Sequence, residues 1–232
     1  MPGKTLVILG SGPGIGIAVA KAFAVRGFTH VALVSRNASR LNEDQDAVLD
    51  AIQERGYSCQ VKTWTCDLAD FDQLNKTLNE IKSFGSLECV LFNAARVAGK
   101  PAFEESIEAI EQDFRLSCLS LYETAKWAIP VLKENAASTP DASPSFFVTN
   151  SFLWKEPHPG LPSLSLVKSA QRTLLLCLHA DMGKDVHLAL LSLGGPVSPE
   201  QKNLNPENIA NKCWELYKQP KSSWSRDMEL NE

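Results

Sequence analysis

The sequence lacks an excess of positive charge, a long apolar run and a cluster of metal ligands. Its 232 residues carry a formal net charge of -4, which provides no basic face for a nucleic acid. No apolar run approaches the roughly 20 residues of a membrane span. The four histidines are scattered along the chain, so they give a metal site no support. We therefore expect no nucleic acid, membrane or metal ion as a partner.

Paired cysteines are lacking as well. None of the six cysteines forms a C-x-x-C pair with another, which argues against a redox or zinc motif. Residues 1–4 lead directly into the first apolar run, so we expect no secretory leader. The cysteines of a chain that is not exported stay reduced. We therefore predict a cytoplasmic protein with free thiols.

Apolar runs alternate with amphipathic segments from end to end. The predicted strands are 6–9, 31–34, 59–66, 89–92, 146–149, 186–193 and a last one near 227–230, and the predicted helices are 15–25, 39–55, 71–84, 106–133, 163–182 and 205–217. Small residues and prolines over 135–144 predict a surface loop. Strands that are apolar on both faces and separated by helices predict a parallel sheet covered on both sides. We expect a single doubly wound α/β (Rossmann) domain over 1–232.

Four alternating glycines, Gly10, Gly12, Gly14 and Gly16, separate the first predicted strand from the first predicted helix. Glycine permits positive φ and leaves room for a phosphate beside the backbone. The following helix offers unpaired N–H groups and the positive end of its dipole to an anion. A glycine-rich turn alone is weak evidence, but the strand before it and the helix after it favour nucleotide binding.

Three segments further along the chain also follow predicted strands and form a sequence pattern together with the glycine turn. In chain order, the four segments are Gly10-Ser-Gly-Pro-Gly14-Ile-Gly16, Asp67-Leu68, Asn93-Ala94-Ala95 and Gly194-Gly195-Pro196-Val197. In this order and spacing they resemble the short-chain dehydrogenase/reductase family over nearly the full length of the chain. The resemblance implies a dinucleotide site that contains Gly10, Ser11, Gly14, Ile15, Gly16, Asp67, Leu68, Asn93, Ala94, Gly195 and Val197.

The end of the second predicted strand indicates which dinucleotide is bound. An NAD site usually has a carboxylate there for the ribose 2′-hydroxyl, whereas this chain has Ser35 followed by Arg36. A guanidinium can pair with a 2′-phosphate in a bidentate way. We therefore predict NADP(H) as the cofactor. The alternative is that Arg36 only begins a solvated turn.

The resemblance also implies catalytic positions, and two of the four have changed. Ser151 matches the family serine after the fifth strand, and Lys168 matches the lysine of the family's Y-x-x-x-K pair. The tyrosine position is Leu164, and the family's helix asparagine is Ser117. A positioned general acid contributes roughly 10² to 10⁴ in rate, and leucine has no proton to donate. Lys168 can still hold the nicotinamide ribose.

Three functions remain open at this point. The protein is an atypical reductase of a carbonyl, iminium or activated C=C group, a non-redox isomerase or cyclase with a structural NADP, or a nucleotide-binding protein without catalysis. In the first case, Ser151, Ser117, His158 or Tyr122 is the candidate replacement acid. His158 belongs to the loop between Ser151 and Lys168, although a histidine between prolines is more often a surface residue.

Two further expectations concern the pocket and the assembly. Little chain lies between Val197 and Asn205 for a substrate lid, so we expect a pocket for a small-molecule substrate that is either relatively open or completed by the loop 151–162. In that loop, Phe152, Leu153 and Trp154 either pack against the substrate or join the core. The helices 106–133 and 163–182 resemble those that pair subunits in the family. The apolar run 174–178 suits a helix buried on both sides. We therefore predict a homodimer or homotetramer.

Overall fold

A computed structural model describes residues 3–101, 103–139 and 141–232. The strands are β1 (Lys4–Leu9), β2 (His30–Ser35), β3 (Gln60–Thr65), β4 (Ser86–Phe92), β5 (Ser145–Ser151), β6 (His187–Leu193) and β7 (Asp227–Leu230). The helices are α1 (Ile15–Ala24), α2 (Ala38–Arg55), α3 (Phe71–Lys82), α4 (Ile107–Phe114), α5 (Ser120–Ser138), α6 (Pro162–Met182) and α7 (Pro206–Tyr217). A π-helical segment, Arg115–Leu119, joins α4 to α5.

The seven strands form one parallel sheet in the order β3-β2-β1-β4-β5-β6-β7. Because the order reverses direction between β1 and β4, the carboxyl ends of these two strands border a crevice. The inner strands are apolar on both faces. Helices cover each face, and a separate cluster of buried apolar side chains lies between the sheet and the helices on each side. The predicted doubly wound α/β fold is confirmed.

Side-chain caps set the first residue of several helices. Asn37 accepts a hydrogen bond from the backbone N–H of Arg40 at the start of α2, and Asp70 accepts two at the start of α3. Such caps satisfy N–H groups that have no partner inside a helix. The first helix, α1, differs, because Gly14 occupies its capping position and provides no side chain.

The region between β4 and β5 corrects two predictions. The single helix predicted over 106–133 consists of α4, the π-helical segment and α5. The loop predicted over 135–144 is wrong in its first part, since α5 continues to Ser138. The side chain of Asn135 donates to the carbonyl of Leu87 at 3.1 Å, which anchors the last turn of α5 to β4. Pro140, within that predicted loop, lies outside the described residues.

Among the helices of the described chain, none combines the length and apolar character that a bilayer crossing requires. Within the same residues, no group of three histidine, cysteine or acidic side chains is arranged to hold a metal ion. All six cysteines are free thiols.

Candidate functional site

A cleft of about 1400 Å³ opens at the carboxyl ends of the strands. It brings together most of the residues expected at the site. The sequence-predicted residues that line it are Gly10, Ser11, Gly14, Ile15, Ser35, Arg36, Leu68, Asn93, Ala94, Ser151, His158, Lys168, Gly195 and Val197. Residues from six strand ends and from α6 therefore converge on one concave surface, as expected for a ligand site in an α/β sheet.

The glycine turn forms the floor of this cleft below α1. Gly10 has a φ of 93°, and a Cβ there would lie 2.6 Å from the backbone nitrogen of Ala94. Gly14 has a φ of 140°, and open space surrounds both it and Gly12. Because α1 has no capping side chain, its first N–H groups remain available to an anion in the cleft.

Asn93 holds the ends of three strands together. Its Nδ2 donates to the carbonyl of Gly10 at 2.9 Å, and its Oδ1 accepts from the hydroxyl of Thr149 at 2.8 Å. These contacts connect the ends of β1, β4 and β5. Sequence reasoning missed Thr149, because its role depends on a partner 56 residues away in the chain.

Lys168 lies on α6 and is 7% exposed. Its Nζ donates to the carbonyl of Thr149 at 2.8 Å and to Oε1 of Gln171 at 3.1 Å. An ammonium has three N–H donors, so one is left for the cleft. Burial lowers the pKa of Lys168 to about 8, and the nearby Cys118 opposes that shift. Gln171 also donates to the carbonyl of Ser117 at 2.8 Å, which fixes the side chain that orients Lys168.

Leu164 lines the cleft one helical turn before Lys168, on the same face of α6. It is 6% exposed and packs with Cys118 and Val167 in a small apolar cluster. Across from it, the Ser151 hydroxyl oxygen accepts a long hydrogen bond of 3.4 Å from the N–H of Leu153. That bond leaves the hydroxyl proton of Ser151 free for a ligand.

Three predicted site residues, all within the described part of the chain, lie outside the cleft lining. Gly16 is a packing position, since a Cβ there would lie 3.0 Å from the carbonyl of Gly10. The carboxylate of Asp67 accepts from the N–H of Ala69 at 3.0 Å. Ser117 is 1% exposed, and its hydroxyl has no hydrogen-bond partner among the described residues. Ser117 belongs to the π-helical segment, and the catalytic role predicted for it stays a prediction.

The other candidate acids and aromatic residues divide in the same way. His158 lines the cleft, and its Nδ1 accepts from the N–H of Gly160 at 3.1 Å. Tyr122 is half exposed on α5 and is not part of the lining. Phe152 and Leu153 line the cleft. Trp154 packs against Arg172 instead, and the guanidinium carbon of Arg172 lies 3.8 Å from the centre of the Trp154 ring.

The cleft also contains charged residues that sequence reasoning missed. These are Lys21, Arg40, Glu156 and Glu207. Arg40 follows Arg36 by four residues, a spacing that places two side chains on one face when both residues are helical. Arg36 precedes the first residue of α2, so this rule did not identify Arg40 from the sequence.

Comparisons with known proteins agree with this geometry. Residues 4–206 match the family model described as short chain dehydrogenase. A cattle (Bos taurus) protein named short-chain dehydrogenase/reductase 3 is 26% identical over 132 residues, which cover 56% of this chain and 42% of the relative. The chain thus matches less than half the length of that relative.

Solved structures show the same fold at low sequence identity. An alcohol dehydrogenase of the archaeon Thermococcus sibiricus, complexed with 5-hydroxy-NADP, has a TM-score of 0.83 at 24% identity, covering 98% of this chain and 95% of its own. An NADH-dependent reductase, A1-R′, complexed with NAD, has a TM-score of 0.79 at 18% identity, covering 99% of this chain and 95% of its own. At such identities the likeness extends to the fold alone.

Proposed function

Since the chain belongs to the short-chain dehydrogenase family, we propose that it is an NADPH-dependent reductase that works without the family's tyrosine acid. The proposed substrate is a small organic molecule with a carbonyl, iminium or activated C=C group. Family membership supports an oxidoreductase with a nicotinamide cofactor. The preference for NADPH and the substrate class are inferences from the residues of this cleft.

The glycine turn fits the pyrophosphate of such a cofactor. Open space at Gly12 and Gly14 and the uncapped start of α1 provide room and N–H donors for an anion. At the end of β2, Arg36 is exposed and lines the cleft. It forms no ion pair with any described residue, so its guanidinium is available to a 2′-phosphate.

The observation that carries the proposal is the position of Leu164 beside Lys168 and Ser151. A reduced nicotinamide, when bound, would supply hydride. Lys168, with one N–H donor left, would hold the ribose hydroxyl and orient the cofactor. Leu164 leaves an apolar wall where a phenol would donate a proton. An iminium ion needs no proton after hydride addition, and an activated C=C group can take one from water.

Of the four candidate acids, Ser151 and His158 line the cleft and could protonate a carbonyl substrate. The Ser151 hydroxyl proton is free, whereas His158 uses its Nδ1 as an acceptor and has Nε2 left to donate. Ser117 and Tyr122, the other candidates, lie outside the lining. Reduction of a simple ketone is therefore expected to be slow.

The test follows loss of NADPH absorbance with cyclohexanone, a pyrrolinium ion and cyclohexenone as probes. We expect turnover with the iminium or the enone and little with the ketone. Leu164→Tyr restores the phenol and should raise ketone reduction by about 10² or more. The matched control is Leu166→Tyr, on the same helix but 55% exposed, which should leave all three rates unchanged.

Other outcomes would contradict the proposal. Equal ketone rates for Leu164→Tyr and the wild type would mean that Leu164 does not face the reacting centre. Turnover with oxidised cofactor and no absorbance change would identify a non-redox enzyme. Tight NADPH binding without turnover of any probe would identify a nucleotide-binding protein.

A further inference from the structure

Asp44 is a buried carboxylate that connects the glycine turn to α2. It is 1% exposed. Its Oδ2 accepts from the hydroxyl of Ser11 at 2.6 Å, and its Oδ1 accepts from Nε of Arg40 at 3.0 Å. A buried charge is strongly unfavourable without such partners. Asp44 therefore holds Ser11 and Arg40 in fixed positions relative to each other.

Arg40 is held in place yet keeps donors for a ligand. Besides its bond to Asp44, its Nη1 donates to the exposed Glu43 at 3.1 Å. A guanidinium has five N–H groups in a planar fork. The Nη2 group of Arg40 has no protein acceptor among the described residues, and Arg40 lines the cleft together with Arg36 and Ser35.

Arg36 and Arg40 thus present two different cations at the end of β2. Arg36 is exposed and unpaired among the described residues, so it must be ordered when an anion binds. Arg40 is already ordered, and a preorganised fork loses less conformational entropy on binding. Asp44 and Glu43 offset the net charge of Arg40, so its advantage lies in geometry and in directed N–H donors.

We propose that Asp44 positions Arg40 as a second ligand for the 2′-phosphate of the dinucleotide, beside Arg36. The same carboxylate connects this phosphate site to the pyrophosphate turn through Ser11. The proposal rests on the proposed function, because it requires NADP(H) to bind in this cleft.

The experiment measures the dissociation constants of NADPH and NADH by calorimetry and compares their ratio. Only NADPH carries the 2′-phosphate, so the ratio isolates its contacts, whereas a general structural defect weakens both nucleotides alike. Arg40→Ala should reduce the preference for NADPH by about tenfold, the effect of losing one charge-assisted hydrogen-bonded contact. Asp44→Asn should reduce it by several fold, because the neutral amide lacks the charge that strengthens the bond to Arg40 and has one accepting oxygen in place of two.

Two variants serve as controls. Arg55→Ala removes an exposed arginine from the far end of α2, outside the cleft, and should leave the ratio unchanged. Arg40→Lys keeps the charge but lacks the planar fork, so it should recover only part of the preference. If Asp44→Asn does not fold, the Arg40 variants still provide the test.

The failures are distinguishable. A wild-type protein that binds neither nucleotide, or that binds NADH as tightly as NADPH, contradicts the proposed function. A wild-type preference for NADPH that survives Arg40→Ala overturns the present proposal and leaves Arg36 as the phosphate ligand. A preference lost in Arg40→Ala but kept in Asp44→Asn removes the positioning role of Asp44.

Discussion

At the scale of single residues, neighbouring glycines in one turn have different functions. Gly10 has a positive φ and would bring a Cβ within 2.6 Å of the backbone nitrogen of Ala94. Gly12 has open space on the side where a Cβ would be. Close approach of two backbones therefore requires glycine at position 10, whereas at position 12 the space belongs to the ligand cleft.

We predict that Gly10→Ala lowers the free energy of unfolding by about 1–3 kcal/mol, from backbone strain and the clash with Ala94. Gly12→Ala should change it by less than about 0.5 kcal/mol. Urea denaturation followed by circular dichroism measures both. Equal stabilities for the two variants would contradict the distinct roles of these glycines.

At the scale of elements, one carboxylate on α4 holds the start of α6. Asp113 is 3% exposed and accepts two hydrogen bonds from Arg96, at 2.7 and 2.8 Å. It also accepts from the hydroxyl of Ser163 at 2.6 Å. Arg96 directly follows Asn93-Ala94-Ala95, and Ser163 directly precedes Leu164; both of these neighbours line the cleft. The network therefore fixes two walls of the cleft relative to each other.

We expect Asp113→Asn to lower the free energy of unfolding by about 1–3 kcal/mol, since it removes the carboxylate closest to Arg96 and leaves only the longer contact of Arg96 with Glu105 at 3.3 Å. The matched control is Asp185→Asn, which removes the half-exposed pair between Lys133 and Asp185. Surface pairs contribute little, so the control should unfold like the wild type. The measurement is chemical denaturation at low salt. Indistinguishable midpoints for both variants would exclude the structural role of Asp113.

At the scale of the whole molecule, the buried side chain of His187 connects the start of β6 to the segment before β7. The ring of His187 stacks on Trp224 with 5.0 Å between ring centres, and its Nε2 lies 2.9 Å from the carbonyl of Ser225. Its Nδ1 has no hydrogen-bond partner among the described residues. Burial lowers the pKa of His187 to about 4.

This lowered pKa predicts how stability depends on pH. The unfolded chain protonates His187 near the ordinary histidine pKa of 6.5, whereas the folded chain does so only near 4. The unfolded state thus binds more protons in that window, and stability falls as the pH falls through it, by up to about 3 kcal/mol. Denaturation of the wild type and of His187→Gln at several pH values measures the difference. Parallel pH profiles for the two proteins would contradict the prediction.

The predicted assembly also belongs to this scale. Within one chain, Leu175 on α6 is buried, while Leu174 and Leu178 are partly buried. Leu166 on α6 and Tyr122 on α5 are exposed. The expected homodimer or homotetramer stays a prediction, as does the cytoplasmic location.

The alternation of strands and helices, the glycine turn and the replacement of a phenol by Leu164 could all be predicted from the sequence. Strands and helices differ in the period of their apolar residues, and that period is a property of neighbouring residues. The spacing of the family motif that the sequence resembles identified Ser151, Leu164 and Lys168, and all three line the cleft.

The tertiary structure alone decided which polar groups meet. Asp44 with Ser11, Asn93 with Thr149 and Asp113 with Ser163 are pairs separated by 33 to 56 residues. Only strand register and helix packing bring such groups together. The burial of Ser117 and the π-helical segment that contains it were not predicted by any local pattern. Local sequence therefore determined the elements and the glycine turn, whereas three-dimensional packing determined the hydrogen-bonded contacts that position the site.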